Sequence, residues 1–332
     1  MTLRKYALAV CVIASALSFT ACSKNNASSS ASQSIEISAD SFSNENIIAT
    51  AIQRNLNQKS AKAKMVSDFS FKDYNGNDSS AAVETNITAV TKPVFKHITM
   101  NVTQNGEPYS TSEFYTDEND KGEKTLYIDY GDKWYQMPVS DEELFSILGQ
   151  YDVREVLNIL LSNISDVTVG ETEDINGTNA YKVDGVVKSD VVPDVIINSG
   201  VFVANGLTNL YTQYFEGVED MPVTLYIDSE TGDVVKFSFD AGNAFQVVSD
   251  YAYNLTKDMD EYKDSQRLVV NAYKVDGDIY DIDNTEKTDL PEEVKNGEVL
   301  PSISEEMEAQ QKAQQEGNAS SAAASTSSAS AQ

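Results

Sequence analysis

The sequence predicts a mainly β protein of the α+β class, built around one large antiparallel sheet. Over most of the chain, apolar and polar residues alternate in short runs, with the period of a half-buried strand. Asn-Gly pairs at 75–76, 105–106 and 176–177 separate several of these runs and are typical of tight hairpin turns. Helical periodicity is confined to three segments. We therefore expect about ten or eleven strands with a few helices packed on the sheet.

The first half of the chain is predicted to contain one helix followed by a meander of strands. Residues 44–62 are predicted to form an amphipathic helix whose apolar face consists of Ile47, Ile48, Ala51, Ile52 and Leu56. In the first strand, within residues 64–76, Met65, Phe69 and Phe71 share one side. Further strands are predicted over residues 82–91, 94–104 and 109–116 and in a hairpin over 125–137.

The second half repeats the combination of helix and hairpins. A helix is predicted over residues 141–162, with acidic residues in its first turn, where the helix dipole favours them. Strands follow over 167–173 and 180–188. A second hairpin over 223–240 places Val223, Leu225 and Ile227 opposite Val235, Phe237 and Phe239. The predicted elements after it are a helix or turn over 243–254 and a last strand pair over 267–273 and 277–281.

The first 22 residues predict export and a lipid anchor. Arg4 and Lys5 precede an apolar run of about 14 residues, which is shorter than the roughly 20 residues that span a bilayer. The segment 19–22, Phe-Thr-Ala-Cys, resembles the bacterial lipobox, which implies cleavage before Cys22 and acylation of its thiol. The alternatives are an ordinary secretory signal cut near Ala21, or a cytosolic cysteine without a role.

Changes in composition predict four parts of the chain. Residues 1–21 are expected to be the lipoprotein signal peptide. Residues 22–40 are expected to contain the lipidated Cys22 and a flexible tether, of which twelve residues would reach roughly 20 Å. Residues 41–303 are expected to form the folded domain, and residues 304–332 a disordered tail rich in Ala, Ser and Gln.

The charge of the chain excludes several kinds of partner. The net charge is −28, and it becomes −30 when Arg4 and Lys5 are removed with the leader. Nucleic acid is therefore not an expected partner, because phosphate contacts need lysine and arginine. The two cysteines, Cys11 and Cys22, lie in the leader and at the acylation site. We therefore expect neither a disulfide nor thiol chemistry in the folded domain.

Signatures of catalysis are largely missing. His97 is the only histidine, which rules out a zinc site with several histidines, and it is expected at the surface. No nucleophile elbow or phosphate-binding glycine loop occurs. Carboxylates cluster in the turns at 73–78 and 276–283, but neither completes a calcium-binding loop, so acidic surface turns are the favoured interpretation. We expect no catalytic residue, no metal and no cofactor.

The order of elements behind a lipobox resembles that of LolA-type lipoprotein carriers and mycobacterial lipid-carrier lipoproteins. The resemblance covers about residues 44–299. It rests on the amino-terminal helix, the long meander, the hairpin LYIDSETGDVVKF at 225–237 and the phrase LPEEVKN at 290–296, which is typical of Gram-positive lipoproteins of this kind. It implies a curved half-barrel with helices on its concave side and an apolar cavity that holds acyl chains.

The candidate cavity combines apolar strand residues with the apolar segment 191–215. The composition of that segment predicts a helix packed on the sheet, and the alternatives are a mobile flap over a ligand mouth or a patch that meets the membrane. The candidate ligand-binding residues are Phe69, Phe71, Ile98, Met100, Val195, Ile196, Val201, Phe202, Leu225, Ile227, Phe237 and Phe239. The same residues would also serve as a filled core, because both structures need one apolar face.

We therefore expect a monomeric lipoprotein on the outer face of a Gram-positive cell membrane that binds lipid, or the acyl chains of a lipidated protein, without catalysis. The first alternative is an envelope scaffold protein with a filled core. The second alternative is an enzyme that acts on cell-wall glycans.

Overall fold

The computed structural model describes residues 46–129, 131, 133–148, 153–199, 201–202, 207, 210–260 and 266–302. The predicted signal peptide, Cys22, the tether and the carboxy-terminal tail lie outside the described residues.

One open sheet of twelve strands organises the described part of the chain. Its order is β12-β6-β5-β4-β3-β2-β1-β11-β10-β9-β8-β7, and all neighbours are antiparallel except β12 and β6. The strands are β1 (Ser60–Lys72), β2 (Asp78–Thr91), β3 (Val94–Gln104), β4 (Glu107–Glu118), β5 (Lys124–Asp129), β6 (Trp134–Val139), β7 (Ile164–Ile175), β8 (Thr178–Val187), β9 (Met221–Asp228), β10 (Val234–Asp240), β11 (Val269–Tyr280) and β12 (Glu298–Val299). The predicted mainly β, half-barrel class is confirmed, with twelve strands instead of ten or eleven.

One helix precedes the first strand, and the others lie between strands along the chain. They are α1 (Ile47–Asn57), α2 (Asp141–Leu148), α3 (Val153–Asn163), α4 (Val192–Ser199), α5 (Gly242–Thr256) and α6 (Glu292–Lys295), with a 3-10 turn at Thr212–Phe215. Two predictions need correction. The first helix ends at Asn57, since Gln58 is already extended and β1 begins at Ser60. The helix predicted over 141–162 is two helices, α2 and α3.

Alternation along the central strands divides the sheet into two faces. In β3, Ile98, Met100 and Val102 are buried in the main apolar cluster, and Asn101 is exposed. Phe95 points to the opposite face and joins a second, smaller cluster. The larger cluster includes residues of α1 to α5, so we call that side the helix face. The predicted alternation of β3 is therefore confirmed.

The last strand pair predicted from the sequence is wrong. Residues 269–280 form one continuous strand, β11, which pairs with both β1 and β10. Gly277 lies inside this strand, opposite Phe237 of β10, and does not end it. A β-carbon at Gly277 would lie 2.1 Å from Cε1 of Phe237. The glycine is needed because the phenylalanine ring occupies the space of its side chain.

A carboxy-terminal segment crosses the other face of the sheet. Residues 281–302, which we call the strap, leave β11 and run to β6, beside which they form the edge strand β12. Leu290 and Val294 of the strap are buried against Phe95 and Tyr115. At its end, the amide of Leu300 donates to the carbonyl of Gln136, 2.8 Å away. The strap therefore covers the apolar part of the face opposite the helices.

Candidate functional site

The apolar layer on the helix face contains all the predicted strand residues. Seven of them are buried in one cluster: Phe69, Ile98, Met100, Leu225, Ile227, Phe237 and Phe239. Phe71 is half-buried, and its ring stacks on that of Phe69 with the centroids 4.4 Å apart. The predicted pairing of the second hairpin is shifted at one position. A register irregularity after Val234 places that residue, instead of Val235, opposite Ile227.

The opposite wall of the layer comes from the apolar segment 191–215. Val195 and Ile196 of α4 are buried, as are Val201 and Phe202 just after the helix. The structure therefore brings the four predicted residues of this segment into the same cluster as the strand residues. Helix α3 adds Val156, Leu157, Leu160 and Leu161 to this wall, and the sequence analysis did not single out these residues. The signal that could have identified them is their spacing of three to four residues, which places them on one face of a helix.

Four aromatic rings meet where the two walls approach each other. Phe202 packs edge-on against Phe245 of α5 and Tyr273 of β11, at centroid distances of 5.0 and 5.2 Å. Phe69 contacts the same two rings at 4.4 and 5.3 Å. The Tyr273 hydroxyl donates a buried hydrogen bond of 2.7 Å to the carbonyl of Val201. This bond satisfies the only polar atom of the ring and fixes the backbone beside Phe202.

The residues Phe245 and Tyr273 were missed in the sequence analysis. Both lie in elements that were predicted, the helix over 243–254 and the strand over 267–273. Their role could not be found from spacing, because it depends on the contact of α5 with β11 and the segment after α4.

Polar contacts hold α1 to its neighbours in the helix layer. The guanidinium of Arg54 donates two hydrogen bonds, of 2.9 and 2.8 Å, to the largely buried carboxylate of Asp233, between β9 and β10. The side-chain amide of Asn55 donates to the carbonyl of Arg154 in α3, 2.9 Å away. Leu56, predicted on the apolar face, is instead mostly exposed. Asn55 is the buried residue in this turn because it bridges α1 and α3.

Of the two acidic segments considered for calcium, residues 73–77 lie in a turn, whereas 276–280 belong to strand β11, so the prediction of a turn there is wrong. Carboxylates of both segments make local hydrogen bonds and ion pairs. The Asp73 carboxylate accepts the backbone amides of Asn77 and Asn75, and these hydrogen bonds lower its pKa. Asp281 pairs with Lys62 at 2.9 Å, and Asp283 accepts the amide of Lys59. In the described ranges, no group of three or more His, Cys, Asp or Glu side chains is arranged to hold a metal ion.

His97 lies on the strap face and belongs to a hydrogen-bonded group. Its Nε2 atom is 2.7 Å from Oε1 of Glu113, and its ring stacks on Tyr115 with the centroids 4.1 Å apart. The Tyr115 hydroxyl donates to the same Glu113 oxygen at 2.9 Å. Burial raises the pKa of Tyr115, and the hydrogen bond to Glu113 raises it further. The predicted surface position of His97 is partly correct, since about a third of its side chain is exposed.

Comparison with known proteins gives one match to a family model, over part of the chain. A family of unknown function, DUF6612, matches residues 43–195, which is less than half of the chain. No curated protein matches the sequence.

Solved structures with a distant likeness include two mycobacterial lipoproteins and a LolA superfamily protein. The lipoprotein LppX of Mycobacterium tuberculosis is 13% identical, covers 74% of this chain and 100% of its own, and has a TM-score of 0.40. LprF of Mycobacterium bovis is also 13% identical, covers 76% of this chain and 97% of its own, and has a TM-score of 0.39. A LolA superfamily protein from Nitrosomonas europaea is 11% identical, with coverages of 76% and 96% and a TM-score of 0.19.

Within the described residues, no helix is both long enough and apolar enough to cross a membrane.

Proposed function

We propose that the protein is a membrane-anchored extracytoplasmic lipoprotein that binds lipid or lipoprotein acyl chains without catalysis. The observation that carries the proposal is the apolar layer between the sheet and α3, α4 and α5, to which all twelve candidate residues contribute. Acyl chains need only apolar surface, and each methylene that is removed from water contributes about 0.8 kcal/mol. No proton transfer or covalent step is required.

The arrangement of the layer supports binding by displacement of helices. The helices contribute side chains to the layer, whereas the strands are joined to each other by backbone hydrogen bonds. Moving α4 away from the sheet would therefore leave the sheet paired. Acyl chains would then take the place of Val195, Ile196 and Phe202 in the apolar layer.

A space-filling substitution tests the proposal. The chain from Ser23 onward, expressed in a bacterium, is expected to carry lipid that native mass spectrometry detects. Ile196→Trp is expected to reduce the amount of bound lipid, because the indole occupies space in the layer that acyl chains need once α4 has moved. Val299→Trp is the control, since Val299 is the most exposed large apolar residue described and lies in β12.

The opposite result would favour the scaffold alternative. In a filled core, an added indole overpacks the site and costs about 1–3 kcal/mol. Because Ile196 is buried in the absence of ligand, this cost is expected under both hypotheses, and the lipid measurement decides between them. Purification of the unmodified chain without lipid would contradict lipid binding, and lipid that stays bound to Ile196→Trp would contradict binding in this layer.

The anchor is a separate part of the proposal and has its own test. Full-length protein, expressed in a Gram-positive host with an alkyne-labelled palmitate, is expected to take up the label and to fractionate with membranes. Cys22→Ser is expected to abolish the labelling, and Cys11→Ser is the matched control in the leader. Labelling that persists in Cys22→Ser would contradict acylation at this residue and would leave lipid binding by the domain untouched.

A further inference from the structure

The apolar stripe of α5 extends beyond the part of the helix that packs on the sheet. Ala244 and Val248 are buried on the helix face, and Tyr251, one turn later, is half-buried. The next position at helical spacing is Leu255, and Met259 follows four residues later, after the end of the helix. Leu255 is 60% exposed and Met259 is 51% exposed. A stripe that forms core at one end of α5 is therefore open to solvent at the other end.

Two further tyrosines extend this exposed stripe. Tyr214 of the 3-10 turn packs on Tyr251 with the centroids 4.6 Å apart, and Tyr211 packs edge-on against Tyr214 at 5.5 Å. Tyr211 is 59% exposed. We call Tyr211, Tyr214, Tyr251, Leu255 and Met259 the tyrosine ridge. Single exposed apolar residues are ordinary on protein surfaces, but a contiguous group of this kind marks an interaction site.

Carboxylates border the tyrosine ridge. Glu216 follows the 3-10 turn, and Asp258 and Asp260 flank Met259; all three are exposed and make no ion pair with any described residue. Lys257 is the basic residue among them, and its ammonium donates to the side-chain oxygen of Asn254. Asp250 is neutralised by Arg267. The border of the ridge is therefore negative, in a chain whose net charge is already −28.

We propose that the tyrosine ridge is the docking surface for a partner protein whose contact surface combines apolar side chains with lysine or arginine. Tyrosine, leucine and methionine bury apolar area on contact, and the carboxylates at the border select the charge of the partner. An anionic lipid surface would be repelled by these carboxylates. A second copy of the chain would bring two like-charged borders together across a two-fold interface.

Matched peptides test the docking surface on the chain from Ser23 onward. The probe is a synthetic amphipathic helix of leucine and lysine, and its counterpart has glutamate in place of lysine. The lysine peptide is expected to bind, and the glutamate peptide is not. Leu255→Ser with Met259→Ser is expected to weaken binding about tenfold, and Asp258→Asn with Asp260→Asn by a similar factor. Val299→Ser and Asp120→Asn, at exposed sites outside the ridge, are the controls and should leave binding unchanged.

Several results would overturn the proposal. They are no binding of the lysine peptide, equal binding of both peptides, or binding that the ridge substitutions do not change. Ridge-dependent binding to phosphatidylcholine or phosphatidylglycerol vesicles would identify a bilayer as the partner instead. Ridge-dependent self-association in sedimentation experiments would identify a second copy. None of these measurements depends on lipid bound in the apolar layer, so the docking surface and the proposed function can fail separately.

Discussion

Gly277 shows how one residue decides the packing of a central strand. Phe237 lies opposite Gly277 on the adjacent strand β10, and its ring occupies the space that a side chain at Gly277 would need. A methyl group at this position must displace the ring, which is fully buried. We expect Gly277→Ala to lower the free energy of unfolding by about 1–3 kcal/mol, the usual cost of overpacking a core.

Urea denaturation measures this effect, and the chain offers a matched control. Gly170 lies in the edge strand β7, where a β-carbon would meet only ordinary contacts with Lys182. Gly170→Ala should therefore change stability little. Adding Phe237→Leu to Gly277→Ala should recover part of the loss, because the smaller side chain frees space. Equal losses at both glycines would contradict the explanation by ring contact.

Tyr115 is expected to make stability depend on alkaline pH. Its pKa is raised in the folded protein by burial and by Glu113, whereas in the unfolded chain it is close to 10. Its contribution is therefore fully present below pH 10 and is lost as the pH rises from there towards the folded pKa. Tyr115→Phe should reduce the fall in the free energy of unfolding between about pH 9 and pH 11.

The reduction is expected to be partial. Tyr74 and Tyr127 also have raised pKa values, mainly through burial, and they remain in the variant. Tyr109→Phe serves as the comparison, because Tyr109 is largely exposed. Urea titrations at several pH values measure the slope. If the unfolding free energy of Tyr115→Phe falls with pH as steeply as that of the unmodified chain, then folding does not raise the pKa of Tyr115.

Among the elements, the strands could be predicted from the sequence and the strap could not. Period-two alternation and Asn-Gly turns are local signals, and β3 has the predicted bounds. The error at β11 was the break predicted at 274–276, before Gly277, because this glycine provides space for a ring on a neighbouring strand and does not mark the end of one. The position of the strap depends on Phe95 and Tyr115, which lie far from it in sequence. Likewise, the site residues Phe245 and Tyr273 needed the tertiary arrangement to be recognised.

The strap is expected to stabilise the strands that it covers. Leu290 and Val294 are buried against Phe95 and Tyr115, so truncating them opens space in the smaller cluster. Leu290→Ala is expected to cost about 2–5 kcal/mol of unfolding free energy. Hydrogen exchange should show faster exchange in β3 to β6. Val299→Ala, in the exposed end of the strap, is the control. Destabilisation without any change in exchange at β3 to β6 would argue against this role.

In the whole molecule, the sheet separates two apolar clusters to which we assign different roles. The helix face contains the large cluster in which we propose that acyl chains bind, and the strap face contains a smaller cluster. A helix layer that moves needs a sheet that keeps its shape when contacts on one side are lost. The strap provides such support on β3 to β6, because it covers their other face and is hydrogen-bonded to β6.

The net charge of the whole molecule predicts that salt stabilises it. Asp and Glu number 52 and Lys and Arg 24, so repulsion between carboxylates opposes folding. Exposed ion pairs such as Lys64–Glu84 are also screened, but each contributes only about 0–1 kcal/mol. We expect repulsion to dominate and the melting temperature to rise as sodium chloride increases from about 10 mM to 150 mM, where the Debye length falls from roughly 30 to 8 Å. Asp120→Asn with Glu216→Gln should reduce this salt dependence; a melting temperature that falls with salt would mean that the ion pairs dominate.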